Sequence, residues 1–211
     1  MGRARLIVAL TALLALAPPA HAARYGFSVS RVTASDLHWS YRPGCPVSPS
    51  QLRLVQLSYW GFDGRSHTGA LVVNASVVPA VEQIFGRLYA RRFPIRSMEP
   101  VDAFHGSDDR SMAADNTSAF NCRYAVASGP KRWSAHSYGE AIDVDPLENP
   151  YLLSGRVYPP AGRPYLDRAH IRPGMAVAGS ELVEAFAASG WQWGGRWTGS
   201  PDYQHFSANG G

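Results

Sequence analysis

The sequence predicts an α+β protein: a small antiparallel sheet with helices packed on one side. Three observations carry this. Residues 51–60 alternate apolar and polar, and residues 69–74 form a second strand-length apolar run, so the two read as a hairpin. Residues 76–92 repeat apolar side chains at helical spacing. Short strand-like stretches, separated by turns, fill most of the remaining chain, with no internal repeats.

Residues 1–22 read as an export signal rather than as structure. Arg3 and Arg5 give a positive start, and residues 6–17 (LIVALTALLALA) are apolar. Pro18 and Pro19 then break the run, and Ala20-His21-Ala22 offers small residues for signal peptidase. That run is shorter than the ~20 residues that cross a bilayer core of about 30 Å. Removing it leaves 189 of the 211 residues, which suits one domain with a decorated N-terminal half. The expected division is signal over 1–22, an arm and hairpin over 23–74, and the main domain over 75–211. The mature chain is expected to be soluble, monomeric, and secreted or associated with the cell wall.

The 20 basic residues exceed the 16 acidic ones by four, and by two once Arg3 and Arg5 are gone. Such an excess is too weak to argue for nucleic acid. Lys131 is the one lysine. The two cysteines, Cys45 and Cys122, predict a disulfide in an exported chain. Their separation of 77 residues would close a long loop, for about 4 kcal/mol of stabilisation.

Each element has its own reason. Residues 23–50 are polar and turn-rich and read as an extended arm that Cys45 fastens down. In 51–60 the apolar residues are Leu52 and Leu54, then after a shift Val55, Leu57 and Tyr59; residues 62–65 make the turn. The helix over 76–92 starts with Ser76 as N-cap and Pro79 in its first turn. Val81, Ile84, Phe85, Leu88 and Tyr89 mark its apolar face, and Phe93-Pro94 ends it. Residues 95–100 read as a short strand, 101–117 as loop, and 118–127 (SAFNCRYAVA) as a strand. A second helix spans 180–188, capped by Ser180 and stopped by Gly190. Residues 191–193 and 204–207 are short strands.

Two segments carry chemistry. The first runs from Ser134 to Pro146 and places His136 and Asp143 about a tight backbone at Gly139, with the small Ala141 between. Zinc takes N and O donors near 2 Å in a tetrahedron, and a His and an Asp on adjoining strands, bent together through Gly139, meet that demand. The second, Trp191 to Trp197 and then Asp202 to Phe206, adds His205 and Asp202. Two His and one Asp leave a fourth position for water. A carboxylate that does not bind the metal can take that water's proton. Asp202 and His205 are three apart and do not share a face of an ideal strand, so the chain should bend after Pro201.

These residues resemble the VanY-type family of zinc D-Ala-D-Ala carboxypeptidases and L-alanyl-D-glutamate endopeptidases. The family pattern, Ser-x-His-x-x-Gly-x-Ala-x-Asp, then Trp-Gly-Gly, then Asp or Glu-x-x-His, is matched by Ser134, His136, Gly139, Ala141 and Asp143, then Trp193-Gly194-Gly195, then Asp202 and His205. The resemblance covers roughly residues 75–206. It implies one Zn²⁺ per chain held by His136, Asp143 and His205, and Asp202 as general base. It also implies a Hedgehog- and lysostaphin-like fold, and peptidoglycan stem peptides as substrate. An upstream arginine would face the oxyanion. The common Tyr-Arg-Ser context is missing, so Arg123 is the first choice and Arg110 the second. Tyr138, Trp193, Trp197 and Ser134 are expected along the substrate cleft.

Other readings of these residues are plainer. His38, His67, His105 and His170 lack partner spacing and read as surface residues. Asp145 before Pro146 reads as a turn former. Ser134 as a nucleophile would need an orienting acid that is not evident. The acidic stretch from Asp102 to Asp115 does not have EF-hand spacing. The functional alternative is a zinc-bearing wall-binding module without turnover, which would not need Asp202.

Overall fold

The computed structural model describes residues 24–126 and 130–210; the export signal expected at 1–22 lies outside them. The alternation in residues 51–60 becomes β2, Leu52–Trp60, and it pairs antiparallel with β3, Ser66–Asn74. β1, Phe27–Arg31, joins the other edge of β2, giving the order β1-β2-β3. The start of the arm, in place of an extended and turn-rich course throughout, thus adds a strand.

The apparent shift in the β2 pattern is two buried faces. Val55, Leu57 and Tyr59 point into one core cluster with Leu71 and Val73 of β3. Leu52 and Val72 point into a second cluster, with Val32, Leu37, Val47, Phe120 and Cys122. This explains the unbroken apolar run in β3: a strand covered on both sides has no polar face. The cover on the second side is the rest of the N-terminal arm. Cys45 and Cys122 are joined there in a disulfide, with Cα atoms 5.9 Å apart.

The main helix, α1, spans Val78–Ala90 and buries the five residues of the expected apolar face. Its start differs from the expectation. Asn74, not Ser76, supplies the capping oxygen: its side chain accepts from the Ser76 amide at 3.1 Å and opens a 3-10 turn over Ala75–Val77. Pro79 sits in the first helical turn as expected.

Residues 95–117 are more structured than their composition suggests. The strand expected at 95–100 shrinks to β4, Ser97–Met98, which pairs parallel with β5, Asn116–Thr117. Between them lie a 3-10 turn at Val101–Phe104 and α2, Asp108–Ala113, capped by the Ser107 hydroxyl. The strand expected over 118–127 does not form among its described residues. Its amides go to separate partners: Phe120 to the Val72 carbonyl, Asn121 to His136, Cys122 to Ser40 and Ala125 to Arg132. A ladder needs one continuous partner, and this segment threads between several.

The C-terminal half builds a second three-stranded sheet from β6, Ala141–Asp143, β9, Gln192–Trp193, and β10, His205–Ser207, in the order β6-β10-β9. A hairpin, β7 Tyr151–Leu153 with β8 Arg156–Tyr158, lies beside it. Its turn, Ser154-Gly155, has both residues at positive φ, 51° and 75°, as a two-residue hairpin turn demands. α3, Glu181–Ala187, is capped by Ser180 as expected. Ile142, Phe206, Phe186 of α3 and the buried face of α1 share the first core cluster with β2 and β3. The α+β class therefore holds, with two three-stranded antiparallel sheets and a two-stranded hairpin in place of one sheet. Among the described residues no helix is long and apolar enough to cross a membrane.

Candidate metal centre and cleft

Asp143 and His205 meet because they are directly paired across β6 and β10. The His205 Nδ1 and an Asp143 carboxylate oxygen are 3.2 Å apart. His136 reaches them from a 3-10 turn, Ala135–Tyr138, and not from a strand as expected. Its Nε2 lies 3.2 Å from the other Asp143 oxygen and 3.2 Å from His205 Nδ1. The turn ends at Gly139, whose φ of 69° favours glycine. A β-carbon there would also fall 2.6 Å from the Asn74 amide nitrogen, so the motif glycine lets the turn lie against β3.

A tetrahedral zinc with arms of about 2.0–2.1 Å separates its donors by about 3.3 Å. The 3.2 Å between His136 Nε2 and His205 Nδ1 suits that ion, and each histidine has one of the two Asp143 oxygens at 3.2 Å. His136 Nδ1 faces the Ala119 carbonyl at 2.6 Å. A carbonyl can only accept, so Nδ1 carries the proton and Nε2 keeps its lone pair for a metal. Burial alone would push the Asp143 carboxyl up, but the adjacent His136 and His205 outweigh it and hold it well below the usual carboxylate range. Among the described residues this is the one group of three His, Cys, Asp or Glu side chains close enough to hold a metal ion.

Asp202 sits at the edge of this group. The chain bends as the three-residue offset requires: Asp202 bridges to Tyr151 of β7, and the His205 amide turns back to the Asp202 carbonyl at 3.3 Å. Its side chain is buried, and Oδ1 has no hydrogen-bond partner. Burial, then the Asp143 charge, push its carboxyl up to about 7.

The group opens onto a cavity of about 230 Å³. Ser134, Trp197 and Arg123 line it with the three motif residues and Asp202. The Trp197 ring lies 5.1 Å from that of His205. The Ser134 hydroxyl accepts from the His136 amide at 3.3 Å and so caps the ligand turn. Arg123 forms an ion pair with Asp108, and Ser137 clamps its backbone, accepting from the Arg123 amide at 2.8 Å. Arg110 is exposed on α2 and is not part of the lining.

Two expected cleft residues are elsewhere. Tyr138 lies two residues past His136 on the tight turn, which carries its ring away into the second core cluster. Trp193 packs flat against Phe206, and its indole N–H donates to the Tyr203 carbonyl at 2.8 Å. Tyr151, Leu153 and Tyr158, from the β7–β8 hairpin, form a wall that the motifs did not indicate. The available signal was the Ser-Gly pair between two short apolar runs. Asp108 and Arg132 are also lining residues without a sequence signal. His38, His67, His105 and His170 are exposed and outside the cavity, as expected. Asp145 lies at a turn as expected, with a φ of 43° and its carbonyl accepting from the Asn149 amide, but it is also fully buried and its side chain accepts from the Arg96 amide at 2.8 Å.

Residues 128–208 match the model of a family described as D-alanyl-D-alanine carboxypeptidase. No curated protein and no solved structure matches the chain. The matched segment contains His136, Asp143, Asp202 and His205, and it starts later than residue 75, where the motif resemblance begins. The match supports a peptidase, and the His–Asp–His group could hold a metal ion.

Proposed function

We propose that the protein is a secreted zinc peptidase that hydrolyses peptide bonds in peptidoglycan stem peptides. The observation that carries this is the group of His136, Asp143 and His205 with a buried carboxylate beside it, Asp202, whose Oδ1 has no hydrogen-bond partner. A binding module has no use for that carboxylate, and burying an oxygen of one without a partner is costly. The export part of the reading rests on residues 1–22.

His136 Nε2, one Asp143 oxygen and His205 Nδ1 would hold the ion. Zinc bound there would supply Lewis-acid polarisation of the scissile carbonyl and a more acidic water. Asp202 takes a proton from the attacking water at Oδ1 and returns it to the leaving amine. Arg123 faces the oxygen on which negative charge develops, held by Asp108 and Ser137. Trp197 and the Tyr151–Tyr158 wall keep bulk water from the reacting atoms. Mass spectrometry of defined muropeptides after incubation with the zinc-loaded protein tests this. Release of D-alanine, or cleavage between L-alanine and D-glutamate, is the expected result; intact muropeptides would overturn it.

A further inference from the structure

Two arginines line the cleft, Arg123 and Arg132. The first is already matched: Asp108 pairs with it, and the other Asp108 oxygen accepts from the Asn121 side-chain amide at 2.6 Å. Arg132 differs. Its guanidinium has no hydrogen bond, ion pair or ring contact among the described residues, and the side chain is exposed.

Its placement is nevertheless fixed from the backbone. Tyr124 and Trp133 form a bridge, and the Arg132 carbonyl accepts from the Ala125 amide at 2.9 Å. The neighbours on either side are engaged with Tyr124: the Trp133 ring stacks 4.1 Å from it, and the Lys131 ammonium lies 4.0 Å above it. Extended chain sends alternate side chains to opposite faces. With Lys131 and Trp133 turned to Tyr124, Arg132 turns to the side of Ser134, Ala125 and Arg123, which all line the cavity. A planar fork of donors with no partner among the described residues, lining a cleft, matches a carboxylate better than any neutral group.

We infer that Arg132 is a specificity residue that docks a free carboxylate of the substrate. This rests on the peptidase reading. Two carboxylates of a stem peptide could serve, the C-terminal one or the free carboxyl of its D-glutamate residue. Amidating either leaves the peptide's length and shape while removing the charge.

Three pentapeptides separate the sources: one with both carboxylates free, one amidated at the C-terminus, and one amidated at D-glutamate. Hydrolysis by the zinc-loaded protein gives kcat/KM, and calorimetry with the Asp202→Asn protein gives affinity without turnover. The free peptide should be preferred about tenfold over one of the two amidated forms, the size expected for a charged hydrogen bond. Arg132→Gln should erase that preference by weakening only the free peptide, and Arg132→Lys should restore part of it. The exposed, unpartnered side chain makes a folding defect in these variants unexpected, and an unchanged melting temperature checks this. Equal use of all three peptides by the unaltered protein, or a preference that survives in Arg132→Gln, would overturn the assignment. Failure to cleave any of them, with discrimination retained in calorimetry, would instead sink the peptidase reading and leave the docking role standing. Failure of both cleavage and discrimination would sink both.

Discussion

Gly194 lies directly against Asp202. The Asp202 amide donates to the Gly194 carbonyl at 3.0 Å, and a β-carbon on Gly194 would fall 2.8 Å from the Asp202 carbonyl oxygen. The same carbon would also press on the Cβ atoms of Asp202 and His205, each at 3.2 Å. Gly194, which opens a 3-10 turn over Gly194–Arg196, thus lets the acid and the histidine of the second motif lie close to that turn. Gly194→Ala should displace both at once. The expected cost is about 1–3 kcal/mol of stability, the usual range for overpacking, with a larger relative loss of muropeptide cleavage. Thermal unfolding and cleavage measured on one preparation would check it, and a fully active variant would contradict the contact.

Asp202→Asn removes the proton acceptor while keeping the shape. Zinc content should stay at one per chain, because the three proposed ligands are untouched. Turnover should fall about 10²- to 10⁴-fold. A loss of zinc in this variant would make Asp202 a ligand and not a base.

Zinc itself should be removable and replaceable. Dialysis against a chelator should abolish cleavage, and one equivalent of zinc should restore it. His136→Ala or His205→Ala should leave neither metal nor activity. Elemental analysis gives the ratio, and a protein that cleaves without metal would end the metal reading.

The bond between Cys45 and Cys122 ties the arm to the segment that leads into Arg123. It closes a loop of 77 residues, so replacing both cysteines with serine should cost about 4 kcal/mol by loop entropy. Urea unfolding of the two forms measures this. A thiol titration of the unfolded, unreduced protein should find none.

Glu148 predicts a pH dependence of stability apart from catalysis. Burial, then its hydrogen bond and charge interaction with Asp115, push its carboxyl up to about 7. The folded form therefore holds a proton that the unfolded chain releases near its ordinary value of about 4.3. Between these two values the native state binds more protons, so stability falls as pH rises from about 4.3 to 7. The urea midpoint should be higher at pH 5 than at pH 8, and Glu148→Gln should shrink that difference, with Asp202, raised over the same range, supplying part of what remains. A midpoint that rises with pH to the same degree in both proteins would refute the assignment.

What the sequence determined was local. The five-residue apolar face of α1, the β2–β3 hairpin, the Ser180 cap and the glycine positions all follow from spacing and backbone preference, which neighbours a few residues apart decide. The residue types of the metal group were legible for the same reason: His136 and Asp143 share one short segment, and Asp202 and His205 another. Tertiary structure alone decided how those segments meet, through the β6–β10 pairing that sets Asp143 opposite His205. It also decided that Tyr138 and Trp193 leave the cleft, that the β7–β8 hairpin walls it, and that Asp108 engages Arg123 while Arg132 stays free among the described residues. Periodicity records whether a side chain is buried but not which distant surface buries it. The composition of residues 101–117 hid α2 for that reason, because Asp108 satisfies Asn121 and Arg123 further along the chain.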